Sequence, residues 1–334
     1  MKVAILFDDV VARPTATPDE RGVLDSVEAI ETVLRAQAQE AVRVPAGINL
    51  PEWSSFLRAS EADLVFNLCE GLGGRSDGEV LAARVVEEMG LPMTGSRPSV
   101  LALARRKDQV NSLLESQGLP VPHWGLWNGF SRDSWAAVWG EFPAIVKPAA
   151  EDGSVGITQA SVVVDQESLA RRMWEIGEFA PLLVQAFVGA RELNAGIVGD
   201  EVLPISEIMF SDLPEGQYPI VGYEAKWSTG SIEDRGTRPV CPAPLPPLLA
   251  EQIKDMARRA WRAVGGEGYG RVDFRLTEPD TLHILEVNPN PDLAPSAGLA
   301  RMATARGWSY SDLLDHIVSE ALSPATSGTR GGAQ

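Results

Sequence analysis

The 334-residue chain carries 29 lysines and arginines against 46 aspartates and glutamates, a formal net charge of −17. Because so acidic a surface repels nucleic acids and anionic membranes, neither is an expected partner. Hydrophobic residues make up 44% of the chain, enough for a buried core and, at this length, for two or three domains. Cys69 and Cys241 lie far apart and the three histidines form no cluster, which argues against a disulfide framework or a zinc site.

Residues 1–98 alternate strand and helix patterns, which predicts an N-terminal parallel α/β domain of Rossmann-like type. "KVAILF" (2–7) and "DLVFNL" (63–68) are short apolar runs typical of buried parallel strands. "EVLAARVVEEMG" (79–90) is predicted to be a helix closed by its glycine, and "LPMTG" (91–95) a short strand. Since the chain opens on a strand pattern and no apolar run approaches the roughly 18 residues of a membrane span, we expect a cytoplasmic protein.

Residues 99–188 form a second predicted unit, of α+β type. A helical pattern runs to Gly118, where the chain turns. Strands are predicted over 142–148 and 156–165, on either side of a polar, glycine-containing loop. A further buried strand is predicted in "PLLVQAFVG" (181–189).

Residues 189–322 predict a C-terminal α+β unit built on antiparallel strands. Its first hairpin is predicted to turn at Gly199 and Asp200. A long loop rich in proline and glycine follows, and we predict a lid over about 211–235, because so long a loop in a compact domain usually has a function. The end, 323–334, has the composition of a disordered tail.

The stretch "RVDFRLTEPDTLHILEVNPN" (271–290) places polar residues within two apolar runs. If "EPDT" (278–281) is a four-residue hairpin loop, Asp273 lies opposite Glu286 and Arg271 opposite Asn288, all on one face. Facing side chains start about 5 Å apart, and two carboxylates that close repel each other unless a cation lies between them. Two carboxylates and an amide oxygen suit Mg²⁺ or Mn²⁺. The opposite face is predicted to be apolar, with Val272, Phe274, Leu276, Leu285 and Val287. The alternative is a solvated face with salt bridges to Arg271 and Arg275.

Lys147 ends the apolar strand "AIVK" and precedes the glycine-containing loop "PAAEDGSVGI". A buried lysine needs an anionic partner. Gly153 and Gly156, on either side of Ser154, allow backbone N–H groups to turn toward a phosphate. The alternative for this loop is an ordinary β-turn.

Three further charged residues could bind parts of a nucleotide. Lys107 lies in a basic helical patch, Lys226 lies in the predicted lid, and Glu192 follows a buried strand where it could accept hydrogen bonds from a ribose. For each, the alternative is an ordinary surface charge. Their joint order along the chain favours an ATP site.

That order resembles the ATP-grasp superfamily, and within it the D-alanine–D-alanine ligase-like family, from residue 1 to about 320. The segments closest to the family pattern are "TGS" (94–96), "KPAAEDGSVG" (147–156), "YEAKW" (223–227) with "CPA" (241–243), "GRVDF" (270–274) and "EVNPNPDL" (286–293). The resemblance implies the ATP-grasp fold of three α/β or α+β domains, with ATP between the central and C-terminal ones. It also implies a homodimer that acts on amino-acid-like small molecules.

The activity that the resemblance implies is ATP-dependent, ADP-forming amide ligation. A carboxylate attacks the γ-phosphate of ATP to give an acyl phosphate, and an amine then attacks the acyl carbon and releases phosphate. The implied catalytic residues are Arg271, which would stabilise the oxyanion, with Lys226 and Ser154. The implied ATP-binding residues are Lys107, Lys147, Gly153, Ser154, Gln185, Ala186, Phe187, Glu192 and Lys226. The implied ligands of two Mg²⁺ (or Mn²⁺) ions are Asp273, Glu286 and Asn288.

The chain departs from the dipeptide ligases at five positions around the amino acids being joined. "DDVVARPTATPDER" (8–21) replaces a Gly-Gly-x-Ser-x-Glu motif. A histidine, a serine, a tyrosine and a glycine are replaced by Glu70, Gly153, Trp227 and Asp292. We therefore expect substrates other than two D-alanines. The residues expected near them are Glu70, Trp227, Asp292 and Ser296.

Glu70 and Asp292 are expected to contact a basic or amino group of the substrate, and the alternative is that both point into solvent. Three other functions stay open: D-alanine–D-alanine ligase proper, an ATP-grasp phosphotransferase, and a nucleotide-binding regulator without turnover. Arg271 favours a ligase over a kinase, because a kinase forms no oxyanion at an acyl carbon.

Overall fold

Three sheets organise the chain, in agreement with the predicted α/β (α+β) fold class. The computed structural model describes residues 1–277 and 281–323, so most of the predicted loop 278–281 and nearly all of the predicted tail 323–334 lie outside the described residues. None of the helices in those described ranges is long and apolar enough to cross a bilayer.

The first sheet is parallel and centred on the N-terminal strand. Its unit contains β1 (Lys2–Asp8), α1 (Pro18–Arg21), α2 (Val23–Ala36), β2 (Glu40–Ala46), α3 (Leu50–Ala59), β3 (Leu64–Asn67) and α4 (Gly78–Glu88). The strand order is β2-β1-β3. Sequence analysis missed β2 and α3, because β2 is an edge strand with charges among its apolar residues. The strand predicted over 91–95 is reduced to one bridge between Met93 and Val65.

The predicted helix after residue 99 is two helices, α5 (Pro98–Ala104) and α6 (Lys107–Ser116). The backbone N–H of Lys107 donates to the carbonyl of Ala149 at 3.0 Å. This bond fixes the start of α6 beside the glycine-containing loop, so Lys107 lies at a helix N-terminus and not within a continuous helix.

The second sheet is antiparallel, with strand order β4-β7-β5-β6. Its unit contains β4 (Trp124–Trp127), α7 (Arg132–Val138), β5 (Ala144–Pro148), β6 (Val162–Val163), α8 (Gln166–Glu175) and β7 (Leu182–Ala186). The strand predicted over 156–165 is wrong for most of its length, because a 3₁₀ turn occupies Gln159–Ser161. One face of the sheet packs on α7 and α8 through Val146, Val184 and Leu169.

The third sheet has six strands in the order β11-β10-β8-β12-β13, with β9 paired to β8. Its unit contains β8 (Arg191–Val198), β9 (Glu201–Val202), β10 (Ser206–Met209), α9 (Tyr223–Trp227), α10 (Ile232–Gly236), β11 (Arg238–Val240), α11 (Pro247–Val264), β12 (Tyr269–Thr277), β13 (Thr281–Asn288), α12 (Gly298–Arg306) and α13 (Tyr310–Leu322). The turn at Gly199 and Asp200 is confirmed, since Val198 pairs with Glu201. The predicted lid contains two short helices, α9 and α10.

Helix α11 covers one face of the third sheet and leaves the other face for the site. Its apolar residues recur every three or four positions, among them Ile253, Ala257 and Trp261, and all three are buried against Val272 and Phe274 of β12. Burial of each large side chain contributes roughly 1.5–3 kcal/mol. Helix α11 ends at Gly265, whose φ of 74° is the left-handed conformation that glycine adopts at low cost.

The N-terminal sheet packs on the C-terminal helices. Ile5 and Phe66 share a core cluster with Leu299 of α12 and with Leu314 and Ile317 of α13. This contact places the loops that follow β1 and β3 over the segment that follows β13. The functional candidates from the three units therefore face one another.

Candidate active site

The hairpin of β12 and β13 brings four of the predicted polar residues together. Asp273 faces Glu286 and Arg271 faces Asn288, as predicted. The predicted pairing near the loop is wrong by one residue, because Thr277 faces Thr281 and a register shift follows Asp273. Leu285 is the extra residue of this bulge and is only partly buried. The apolar face therefore uses Leu282 and Ile284 where Leu285 was expected.

Asp273 is held by two neighbours. Its two carboxylate oxygens accept from Nε and Nη2 of Arg271 at 2.7 and 2.9 Å. Oδ1 also accepts from Nδ2 of Asn194 at 2.7 Å. Burial opposes the charge of Arg271, but the adjacent Asp273 carboxylate outweighs it and raises the pKa of Arg271. Asn194 was missed by sequence analysis, since only the pairing of β8 with β12 brings it to this face.

Glu286 has no hydrogen bond or ion pair to any residue of the described ranges, although cationic groups surround it. Burial acts to raise the pKa of Glu286, but the nearby cations outweigh burial and lower it. These cations are Lys107, Lys226, Arg271 and Lys147. A carboxylate with free oxygens in so positive a setting stays ionised and can accept a metal ion.

The three residues predicted to bind metal present only oxygen donors. Nowhere in residues 1–277 and 281–323 do three or more His, Cys, Asp or Glu side chains cluster as a metal site. Among the described residues Glu286 has no partner, and Asn288 Oδ1 accepts one hydrogen bond, from the backbone of Asn290 at 2.9 Å. This set suits a hard divalent ion that keeps water or phosphate oxygens among its ligands. Asp273 would join the set once Arg271 releases it.

The two lysines near the glycine-containing loop differ in their partners. Lys107 Nζ donates to the carbonyl of Glu151 and to Asp152 Oδ1, the latter at 3.2 Å. Lys147 is 7% exposed and has no hydrogen bond or ion pair to a described residue. Burial lowers the pKa of Lys147 to about 8. An unpaired, buried ammonium is a ready partner for an anionic ligand.

The predicted lid contacts the glycine-containing loop at three points. Ser154 Oγ donates to the carbonyl of Val221 and Trp227 Nε1 donates to the carbonyl of Gly153, both at 2.9 Å. The backbone N–H of Tyr223 donates to the carbonyl of Ile157, also at 2.9 Å. Lys226 lies between Tyr223 and Trp227 in the sequence, is exposed, and lines a cavity between the predicted lid and the glycine-containing loop.

The second sheet offers one face to the site. Gln185 pairs with Ile145, and Lys147 is two residues further along β5, so Gln185 and Lys147 share the face opposite the domain core. Ala186 alternates to the core side, so its side chain cannot contact a ligand on the Lys147 face. Phe187 follows the strand, and its ring lies edge-on to Tyr218 at 5.8 Å.

Glu192 is held by Arg275, which sequence analysis gave no functional role. Arg275 Nη2 donates to Glu192 Oε2 at 2.8 Å and to the carbonyl of Pro219 at 2.6 Å. Its guanidinium lies 5.4 Å from the centre of the Phe187 ring. Burial raises the pKa of Glu192 despite Arg275. Arg275 therefore links Glu192, the residue predicted to bind the ribose, to Pro219 in the predicted lid.

A cavity of about 1470 Å³ opens between the N-terminal unit, the glycine-containing loop and the lid. The four predicted substrate residues, Glu70, Trp227, Asp292 and Ser296, all line it. Arg271, Glu286 and Asn288 line its floor, whereas Lys147, Gln185 and Glu192 are not among its lining residues. The cavity thus joins the predicted metal residues to the predicted substrate residues.

The N-terminal wall of this cavity is acidic. Glu70 makes no hydrogen bond or ion pair with a described residue, and its side chain is exposed to the cavity. Its pKa is raised to about 8, first because the surrounding protein excludes solvent and then because Asp292, Asp152 and Asp19 are near. Asp292 is fixed, since Oδ1 accepts from Ser26 Oγ at 3.1 Å and from the backbone of Ala294 at 2.8 Å.

Glu79 and Asn290 were missed by sequence analysis. Glu79 is 7% exposed and accepts from Asn290 Nδ2 at 3.0 Å. Burial raises the pKa of Glu79 to about 8. Tyr269 donates to Oδ1 of the same Asn290 at 3.1 Å. The sequence did offer one signal for Asn290. Like Asn288, it is an asparagine followed directly by a proline in "NPNP".

A family model described as the C-terminus of D-ala D-ala ligase matches residues 113–319. The D-alanine–D-alanine ligase of Gluconobacter oxydans (strain 621H) is 35% identical over 327 residues, which cover 96% of this chain and 99% of that protein. The D-alanine–D-alanine ligase of Desulfotalea psychrophila (strain LSv54) is 30% identical over 317 residues, 92% of each chain.

Two solved structures have the same fold. The D-alanine–D-alanine ligase from Bacillus anthracis complexed with ATP aligns with a TM-score of 0.75 and 19% identity, covering 96% of this chain and 97% of that one. The VanG D-Ala:D-Ser ligase from Enterococcus faecalis aligns with a TM-score of 0.76 and 18% identity, covering 96% and 99%.

Proposed function

This chain belongs to the D-alanine–D-alanine ligase family of ATP-dependent, amide-forming ligases, and we propose that one of its two amino-acid substrates carries a positive charge in addition to its α-ammonium group. The observation that carries the proposal is the carboxyl group of Glu70, which has no partner among the described residues and lies near Asp292 in the acidic wall of the cavity. A bound cation would satisfy Glu70 and relieve its repulsion from Asp292.

The proposed reaction has two steps, transfer of the γ-phosphoryl group of ATP to a carboxylate and then transfer of the acyl group to an amine. The residues of this chain would support both steps through their charge and position. The carboxylate of one substrate attacks the γ-phosphate of ATP, and ADP leaves. The amine of the other substrate attacks the acyl carbon, and phosphate leaves. Such chemistry needs charge neutralisation and alignment more than a protein nucleophile. Lys107, Lys147 and Lys226 are assigned to the phosphates.

Arg271 is assigned to the oxyanion that forms at the acyl carbon. It lines the cavity floor and lies directly beside Asp273. Asp273, Glu286 and Asn288 would hold Mg²⁺, which neutralises phosphate charge when bound. Because Arg271 engages both oxygens of Asp273, a metal ion and Arg271 compete for this carboxylate. Release of Asp273 to the metal would free Arg271 for the substrate.

Two D-alanines are the second candidate pair, favoured by the names of the relatives at 30–35% identity. Against this pair stand the residues that replace the family pattern around the substrates. Glu70 replaces a histidine and Asp292 replaces a glycine, so both changes place a carboxyl group in the same wall. The uncharged methyl side chain of alanine would give Glu70 no partner.

The experiment is a screen of D- and L-amino acid pairs for ADP release, with mass spectrometry of the products. The proposal expects the highest kcat/KM when one partner is a diaminocarboxylic acid or an amino acid with a guanidinium group. Fastest turnover with two D-alanines would refute the cationic substrate and keep the ligase. ADP release with a phosphorylated amino acid as final product would instead favour the phosphotransferase.

A further inference from the structure

The glycine-containing loop is held along three successive carbonyl groups by the corner between α5 and α6. The backbone N–H of Lys107 donates to the carbonyl of Ala149 at 3.0 Å, and Lys107 Nζ donates to the carbonyl of Glu151. Between them, Arg105 Nη2 donates to the carbonyl of Ala150 at 3.0 Å. Because this corner holds three neighbouring residues, it fixes where the loop lies in the site.

Arg105 also reaches the N-terminal unit. The same Nη2 donates to Ser76 Oγ at 2.9 Å, so each of its two hydrogens serves one bond. Ser76 belongs to the segment between β3 and α4, residues 68–77, which carries Glu70 (the Glu70 loop). Arg105, Ser76 and Glu70 all line the large cavity. A single nitrogen of Arg105 therefore joins the loop assigned to ATP with the loop assigned to an amino acid.

The guanidinium of Arg105 forms no ion pair with any described residue, although the chain carries 46 aspartates and glutamates. Arg75, which lines the same cavity, is by contrast paired with Asp77 at 2.7 Å. Hydrogen bonds from a charged donor are roughly twice as strong as those between neutral groups. The charge of Arg105 therefore strengthens the two bonds that join the loops, and neutralises no acid.

Lys107 and Arg105 are expected to respond differently to ATP. Lys107 Nζ is assigned to the phosphates, but here it is bonded to the carbonyl of Glu151 and to Asp152 Oδ1. To bind a phosphate, it exchanges these bonds for the ligand. Arg105 keeps its bond to Ala150 at that point. Arg105 is thus the side chain of this corner that can hold the glycine-containing loop against Ser76 in a nucleotide complex.

Resting on the proposed use of ATP and an amino acid, we propose that Arg105 is a positioning residue that couples the two substrate sites. ATP orders the glycine-containing loop, and Arg105 transmits this order to Ser76 and so to the loop that carries Glu70. The coupling is reciprocal, because ATP and the amino acid each raise the affinity for the other by the same factor. The expected factor is about ten- to a hundredfold, the value of a hydrogen bond from a charged group.

Hydrogen exchange tests the coupling with nucleotide alone, the probe being the non-hydrolysable β,γ-imido analogue of ATP with Mg²⁺. In the wild type, the analogue should slow exchange over residues 149–156 and over the Glu70 loop. The Glu70 loop can report this, because the N–H of Leu72 donates to the carbonyl of Arg75 at 3.0 Å. In Ser76→Ala, the analogue should slow exchange only over residues 149–156. Arg105→Met should lose the effect on the Glu70 loop, and Arg105→Lys, which keeps a charged donor, should retain part of it.

Calorimetry measures the size of the coupling. The Kd of the analogue is determined with and without the amino acid that gives the fastest ADP release. The ratio of the two values should be about ten to a hundred in the wild type, and within about threefold of one in Ser76→Ala and in Arg105→Met. The double variant should match Arg105→Met, because both changes remove the same bond.

Arg75→Met is the matched control, since Arg75 lines the same cavity and is exposed and paired with Asp77. It should keep the wild-type exchange pattern and the wild-type ratio. Thermal melting confirms that each variant folds.

The outcomes separate the coupling from the proposed function. An analogue that slows exchange over residues 149–156 but not over the Glu70 loop of the wild type overturns the coupling and leaves the ligase intact. Wild-type ratios in both Ser76→Ala and Arg105→Met overturn it as well, as does an equal loss in Arg75→Met. A wild type that does not bind the analogue overturns the proposed ATP site itself.

Discussion

Tyr223 in the predicted lid donates a hydrogen bond to Asp19 Oδ1 at 2.6 Å, across 204 positions of sequence. Burial and then Asp19 raise the pKa of Tyr223 to about 12, so the phenol stays a donor at neutral pH. Trp227 and Ser154 add the bonds between the lid and the glycine-containing loop. The predicted lid thus bridges the N-terminal unit and the glycine-containing loop.

Tyr223→Phe should loosen the lid and lower kcat/KM by about five- to tenfold, the value of one hydrogen bond. Hydrogen exchange over residues 211–235 should be slowed by ATP in the wild type and less so in the variant. Tyr218→Phe is the matched control, since the Tyr218 hydroxyl bonds to no described residue. Equal protection of this segment with and without ATP would argue against a lid.

Glu286→Gln should reduce ADP formation by at least about a hundredfold, because the variant loses the free carboxylate among four cationic groups. Cooperative melting should persist, since Glu286 forms no ion pair or hydrogen bond with the described residues. Steady-state ADP release and calorimetric melting measure the two effects. Near-normal turnover would remove Glu286 from the metal assignment.

Lys147 should take up protons when ATP binds. Its pKa is about 8 because burial disfavours the charged form. A triphosphate favours that form and raises the pKa, so at pH 8 about half a proton should be taken up, and ATP affinity should fall as pH rises above 8. Calorimetry in two buffers with different ionisation enthalpies measures the uptake. Lys147→Arg should bind ATP without it, whereas unchanged uptake in that variant would assign the proton elsewhere.

Glu70→Gln and Asp292→Asn should each raise KM for a cationic amino acid by roughly ten- to a hundredfold, the value of a hydrogen bond to a charged group. KM for D-alanine should change less than about twofold. Asp77→Asn is the control, because Asp77 lines the same cavity but is paired with Arg75 at 2.7 Å. Unchanged KM for every substrate in both variants would show that neither carboxylate contacts the substrate.

The pairing of Asp273 with Glu286 was predictable because two-residue periodicity fixes which residues share a face. The loop length was one residue too long in the prediction, and the bulge at Leu285 restored the register. A bulge has no sequence signal as clear as the alternation of a strand. Asp273 and Glu286 therefore face each other as predicted only because the shorter loop and the bulge shift the register by one residue in opposite directions. The bulge also explains why Leu282 and Ile284, and not Leu285, lie on the apolar face.

Contacts between distant segments were beyond prediction. Asn194 reaches Asp273, and Asn290 reaches Glu79, only because separate strands and loops converge. Ala186 stays a prediction as an ATP-binding residue, and strand alternation leaves only its backbone for a ligand on the Lys147 face. β2 was missed because its charged, partly exposed sequence lacks the apolar run of β1. The sequence pattern predicts which residues share a face of a strand, whereas their hydrogen-bond partners depend on how distant segments pack together.

In the proposed reaction, a substrate carboxylate is activated by transfer of the γ-phosphate of ATP. The most direct measurement uses an amino acid labelled with ¹⁸O at both carboxylate oxygens, with mass analysis of the phosphate released as the amide forms. Attack of the carboxylate on the γ-phosphate predicts one ¹⁸O atom in each phosphate and one in each amide. Unlabelled phosphate, with both labels elsewhere, would contradict the acyl-phosphate mechanism and the assignments of Arg271 and Glu286 with it.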